Sequence, residues 1–433
     1  MIQILKKKSL GIIIMLLFTI IIPYSIEASS SLAIEYETVN DLSVILMIGD
    51  GMGYEQVKLG RWVEKGLTSN FTMENALLNL NVSTVNIHRE TTDSAAAATA
   101  MATGVKVSNK YLSIAENGTI LQTILEIAQD MGKATGIVTT TYVQHATPAG
   151  FMTHVHSRSM YDEISRQIIE EANVDVLLGG GNSYFSTGQV QSMEAKNYTL
   201  VTNKTHFQTL TEGKIFGVFA DGHLPYEQDR NFTLTPSLSE MTEKALEILA
   251  QNDSGFFLMV EGGRIDHGGH ANNQVNVALE MIAFAKAVEK AIAYVKNHDN
   301  TILIVTADHE TGGLVVKSEA LDNNLPIFGY TEEQNRTIQI ARANQINVEW
   351  STTGHTSAHV PFFGFGKAFT KLLNNILIDN TAIFHIMNDY FAGKLLEITS
   401  TTVETNNYNL YLIPIAFLVI FSRIFRKKRI KTY

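Results

Sequence analysis

Three runs of apolar residues, each ending at an acid, constrain the fold more than anything else in the chain. Val44-Ile45-Leu46-Met47-Ile48 leads into Gly49-Asp50-Gly51-Met52-Gly53. Phe256-Phe257-Leu258-Met259-Val260 leads into Glu261-Gly262-Gly263, and Ile302-Leu303-Ile304-Val305 into Ala307-Asp308-His309. A strand with no polar face has to be covered on both sides, which is the situation of a parallel sheet between helices. Such sheets bind ligands beyond the carboxyl ends of their strands. The three acids are therefore expected to converge there.

Further strands are expected at Thr135–Thr141, Val174–Leu178 and Val360–Phe365. Helices are expected at Leu121–Met131, Met160–Ala172, Ser239–Gln251, Val275–Val295 and Ala368–Ala392. The alternation argues for an α/β fold with helices on both faces of a mostly parallel sheet. Asn182 to Asp229 is less regular and reads as a peripheral elaboration. Leu314 to Trp350 reads as a shorter excursion.

The ends carry other signals. Lys6-Lys7-Lys8, an apolar run from Leu10 to Ile22 and small residues near Ala28 give residues 1–28 the pattern expected of a secretory signal peptide. Residues 29–398 are expected to form the large ectodomain and 399–409 a polar linker. Leu410 to Phe425 is almost wholly apolar, and the basic residues 426–433 follow it. This pattern is expected to give a C-terminal single-pass anchor with the large domain on the extracellular face. Eight Asn-x-Ser/Thr acceptors, at Asn70, Asn81, Asn117, Asn197, Asn203, Asn231, Asn252 and Asn335, fit a glycosylated surface.

The net charge is −10, and the part between the two basic ends carries −18. Such a field argues against nucleic acid as a partner. An anionic substrate would need a local cation. The chain has no cysteine, so a metal would be held by His, Asp, Glu or hydroxyl groups.

Those residues are present in quantity. Glu261-Gly-Gly-Arg-Ile-Asp266-His267-Gly-Gly-His270 sets Asp266 and His270 four apart, within reach of one cation on a helical turn. Asp308-His309 adds two ligands at a strand end, and Gly354-His355-Thr356 adds one in a loop. Any one of these residues is ordinarily structural, but five together point to metal binding. Asp50 and Glu261 supply oxygens for a harder cation. Thr92-Asp93-Ser94 runs into four alanines, which places Ser94 at a helix N-terminus that favours an anion. Taken alone, Ser94 reads as an N-cap. As a nucleophile it would need activation, and metal is the natural source because no Gly-x-Ser-x-Gly elbow surrounds it. His145-Ala-Thr147-Pro148-Ala149 leads on to His154 and Arg158, whose guanidinium could fork onto a phosphate.

Taken in order, Gly49–Gly53, Thr92–Ala95, His145–Ala149 with Arg158, Glu261–His270, Thr306–Gly313 and Gly354–Thr356 make the chain resemble the metal-dependent alkaline phosphatases. The resemblance implies a three-layer sandwich and hydrolysis of phosphate monoesters through a phosphoserine on Ser94. It implies one zinc on Asp266, His270 and His355, and a second on Asp50, Asp308 and His309. It also implies magnesium on Asp50, Thr147 and Glu261, with Arg158 on the phosphate. His145 and His267 stand where some members carry Asp and Lys, near the third metal, and His154 is a candidate group behind the ligands. The family pattern allows a homodimer, although the 314–350 excursion is short for the insertion that makes such contacts. Two alternatives stay open at this point: a phosphodiesterase on the same fold, and a catalytically silent metal-binding surface glycoprotein.

Overall fold

Burial on both faces decides the centre of the sheet. Every residue of β1 (Ser43–Gly49) is buried, and in a computed structural model of the chain it lies between two other fully buried strands. The structure describes residues 41–318, 331–369, 374 and 376–394. Further strands are β2 (Leu78–Ser83), β3 (Ala134–Tyr142), β4 (Val176–Gly180), β5 (Tyr198–Val201), β6 (Lys214–Val218), β7 (Phe256–Gly262) and β8 (Thr301–Thr306). Two short antiparallel pairs follow, β9 (Glu310–Thr311) with β12 (His355–Thr356) and β10 (Leu314–Ser318) with β11 (Asn347–Trp350). The last strands are β13 (Val360–Phe365) and β14 (Leu377–Asp379).

Ten of these form one mixed sheet in the order β14-β2-β13-β8-β1-β7-β3-β4-β6-β5. β13 is antiparallel to both its neighbours, and the other pairings are parallel. On one side, helix Gln274–Asn297 packs with helices Tyr54–Lys65 and Leu238–Leu249. On the other, helix Thr381–Phe391 packs with helices Ser94–Thr103 and Ile124–Asp130. β1 touches both layers. The fold is an α/β sandwich, as the strand composition implied.

Register places the chemistry. Ile48 of β1 sits opposite Glu261 of β7 on one side and Thr306 of β8 on the other, and Thr139 of β3 also faces Glu261. Asp50 and Asp308 therefore emerge level with each other, two residues beyond Glu261, at the same carboxyl end of the sheet.

Several expectations change. The 182–229 segment is more than an elaboration, because β5 and β6 extend the main sheet at its edge. They are four and five residues long, too short for a period to show. The expected helix Ala368–Ala392 begins only at Thr381, after β14. The C-terminal single-pass anchor, and the extracellular-face localisation drawn from it, are not supported. Among the described residues no helix is long and apolar enough to cross a membrane. Residues 1–28, 399–409, 410–425 and 426–433 lie outside the described residues.

Helix Gln274–Asn297 buries an acid. Glu280 is 4% exposed, and its Oε1 accepts the Glu227 amide at 2.7 Å. Burial, reinforced by the Glu227 carboxylate, pushes its pKa up to about 8. The folded state thus keeps a proton that the unfolded chain loses near its ordinary pKa, so stability falls as pH rises through this window. Glu280→Gln keeps the acceptor and removes the charge. Its melting temperature should exceed the wild type's at pH 9 and nearly match it at pH 5. An equal difference at both pH values would contradict this account.

Candidate active site

Asp93, not Ser94, caps helix Ser94–Thr103. Its Oδ1 accepts the Ala96 amide at 3.0 Å, and its carboxylate also accepts the Lys110 amide. Ser94 is the first helical residue, 2% exposed, and its hydroxyl is not used in capping. The alanines that follow are wholly buried. They let helix Ala146–Met152 approach so closely that a Cβ on Gly150 would come 2.9 Å from the Ala98 methyl. This second helix carries Thr147 and starts directly after His145, whose side chain makes no capping bond.

Ser94 Oγ lies 3.3 Å from His309 Nε2. The same nitrogen lies 3.1 Å from Asp308 Oδ2 and 3.5 Å from Asp50 Oδ1. Asp50, Asp308 and His309 form one group whose ligand atoms converge. A second group contains Asp266, His309 and His355. His270 joins it, with Nε2 at 3.3 Å from Asp266 Oδ2 and 3.1 Å from His355 Nε2. A third group is Asp50, His145 and Glu261. His145 thus stands among the candidate ligands and not behind them, with Nδ1 at 3.9 Å from Glu261 Oε1. Arg158 donates to Asp93 Oδ2 at 3.3 Å and to His145 Nε2 at 3.2 Å, which holds its guanidinium beside the serine helix.

The donor set fits cations. Both carboxylate oxygens of Asp50, Oε1 of Glu261, Oγ1 of Thr147 and Nδ1 of His145 are buried with no hydrogen-bond partner. Buried polar atoms rarely stay orphaned. The imidazoles are oriented as ligands usually are. His270 Nδ1 donates to the Thr353 carbonyl at 2.5 Å, and His355 Nδ1 to the Thr92 carbonyl at 2.9 Å. Each therefore turns Nε2 toward Asp266.

Electrostatics agree. Burial, together with the Asp308, Asp266 and Glu261 carboxylates, raises the Asp50 pKa well above the ordinary value. Burial alone would raise Asp266 as well, but its bond to His270 and the His309 and His355 imidazoles hold it low. His270, bonded to Asp266, rises to about 9, while burial and His309 take His355 down to about 4. Two imidazoles 3.1 Å apart share one proton between them, and the exposed His270 keeps it. A divalent cation would relieve the crowding of acids around Asp50.

Not every candidate converges. His154 bonds Glu126 and the Ser113 carbonyl instead, tying two helix ends together. His267 lies against His145, with ring centroids 5.7 Å apart. His223 was not among the expected site residues, yet its ring packs 4.5 Å from His267 and 5.8 Å from His145. Burial and the His267 imidazole lower its pKa to about 2. It comes from the irregular 182–229 segment and lies in no motif. Glu310 was also unremarked. It is buried and accepts from Gln56, the amides of Gly313 and Leu314, and Thr356, which fixes the turn after His309.

The fold and site together define an α/β enzyme that gathers acids and imidazoles around a helix-borne serine. The alkaline phosphatase family model matches residues 42–337. The chain is 32% identical over 397 residues to alkaline phosphatase 4 of Bacillus subtilis, covering 77% of this chain and 86% of the relative. The cold-active alkaline phosphatase from a psychrophilic Shewanella superposes with a TM-score of 0.70 at 31% identity, over 80% of this chain and 99% of the other. A variant of the alkaline phosphatase from the Antarctic bacterium TAB5, solved with Mg bound in its M3 site, superposes at 0.68 with 29% identity, over 81% and 97%. The chain belongs to the alkaline phosphatase family, whose members depend on metal.

Proposed function

We propose that the enzyme hydrolyses phosphate monoesters to alcohol and inorganic phosphate through a phosphoserine on Ser94. The observation that carries this is the buried Ser94 hydroxyl 3.3 Å from His309 Nε2, an imidazole that also lies against Asp308 and Asp50. Asp266, His270 and His355 would hold one zinc, and Asp50, Asp308 and His309 a second. Asp50, Glu261, Thr147 and His145 would hold a third cation. The TAB5 structure with Mg in its M3 site is of a variant with aspartate in place of a histidine, whereas His145 brings an imidazole, which also suits zinc. When bound, these cations supply the charge that makes serine and water nucleophilic near neutral pH and stabilises the oxygens of an in-line displacement.

The chain's own groups do the rest. Arg158, steadied by Asp93, forks onto two phosphate oxygens and orients the ester. The positive end of helix Ser94–Thr103 faces the phosphoryl group. Ser94 Oγ forms the new P–O bond as the ester oxygen leaves and takes a proton to become the alcohol. Water then attacks the phosphoserine, releasing phosphate and restoring the hydroxyl. The expected result is that the metal-loaded full chain turns over p-nitrophenyl phosphate faster than bis-p-nitrophenyl phosphate. A preference for the diester would move the assignment to a phosphodiesterase, and no turnover of either would sink it.

A further inference from the structure

His309 differs from the two other imidazoles in what holds it. His270 and His355 rest on backbone carbonyls, whereas His309 rests on a side chain. Thr311 Oγ1 lies 3.2 Å from His309 Nδ1 and 2.5 Å from Asp266 Oδ1. An ionised carboxylate can only accept, so the single hydroxyl proton of Thr311 goes to Asp266. Toward His309 the hydroxyl must therefore accept, and Nδ1 must carry the hydrogen. In the neutral ring this leaves Nε2 bare, facing Asp50, Asp308 and Ser94.

Thr311 has no freedom to do otherwise. It is wholly buried, and it pairs with His355 across β9 and β12. Two glycines hem in its side chain. A Cβ on Gly51 would come 2.9 Å from Thr311 Oγ1, and one on Gly269 3.0 Å from its methyl. Gly51 also has φ +74°, a conformation that suits glycine.

We propose that Thr311 is a positioning residue that links the two zinc pockets, making metal binding at each depend on the other. The inference rests on the proposed assignment of those pockets. Fixing the Asp266 carboxylate fixes the Thr311 hydroxyl. The hydroxyl fixes the His309 tautomer, and with it the second pocket's nitrogen ligand. By reciprocity, filling the second pocket prepares the first.

Zinc titration of the metal-stripped full chain against a competing chelator tests this. The wild type should bind two zincs cooperatively. Thr311→Val keeps the shape but lacks the hydroxyl, so it should bind about 10- to 100-fold more weakly and without cooperativity. Thr311→Ser restores the hydroxyl and should restore both. Wild-type binding by Thr311→Val, or failure of Thr311→Ser to recover it, would overturn the role of the hydroxyl while leaving the pockets standing. A wild type that takes up no zinc would overturn the pockets, and this inference with them.

Discussion

Ser94→Ala should lower p-nitrophenyl phosphate turnover by about 10⁴-fold or more, the scale at which removal of a covalent nucleophile acts. The same change should leave the melting temperature almost unmoved. Asp93, not Ser94, accepts the Ala96 amide, and alanine is favoured inside a helix. Were Ser94 acting as the cap, its removal would cost about 1 kcal/mol of stability and little activity. The comparison with Asp93→Ala sharpens the point. That variant loses the cap and one partner of Arg158, so it should lose stability. Thermal melts beside kinetics decide the matter. A Ser94→Ala enzyme that is destabilised but still active would refute the assignment.

Chelation should have the other large effect. With both Asp50 oxygens unpartnered and its pKa raised by burial and by three neighbouring carboxylates, the site without cations holds acids in an arrangement that opposes their ionisation. Stripping divalent metal should therefore bring activity to background and lower the melting temperature. Zinc should restore both. At a thousandfold excess over its dissociation constant, one bound ion stabilises by about 4 kcal/mol. Calorimetry with and without chelator measures this, and persistent activity after exhaustive dialysis against chelator would exclude a metal-dependent reaction.

Much of this site was legible because its residues sit at strand ends. The runs before Asp50, Glu261 and Asp308 are apolar on both faces, so the sequence marks both the strand and the point where it stops. Register then does what periodicity cannot, setting Ile48 level with Glu261 and Thr306. His270 and His355 were legible from chemistry and spacing. His223 was not, since only the folding of a weakly patterned segment against β4 brings it to His267 and His145. Asp93 was visible as part of a motif, but its ownership of the helix cap depends on a backbone turn one residue earlier than composition suggests. β5, β6 and β14 escaped for a different reason. A strand of three to five residues at the margin of a sheet is specified mainly by its neighbours.

The contact between Ala98 and Gly150 has a consequence for how the enzyme could change over time. Because the two helices meet with no slack, each added carbon on that seam acts as a spacer. It would lift Ser94 away from Thr147 and from the Asp50 pocket without altering a single reacting group. The working distance of the chemistry is set where the chain carries least, which makes these small residues as binding a constraint on sequence drift as the acids themselves.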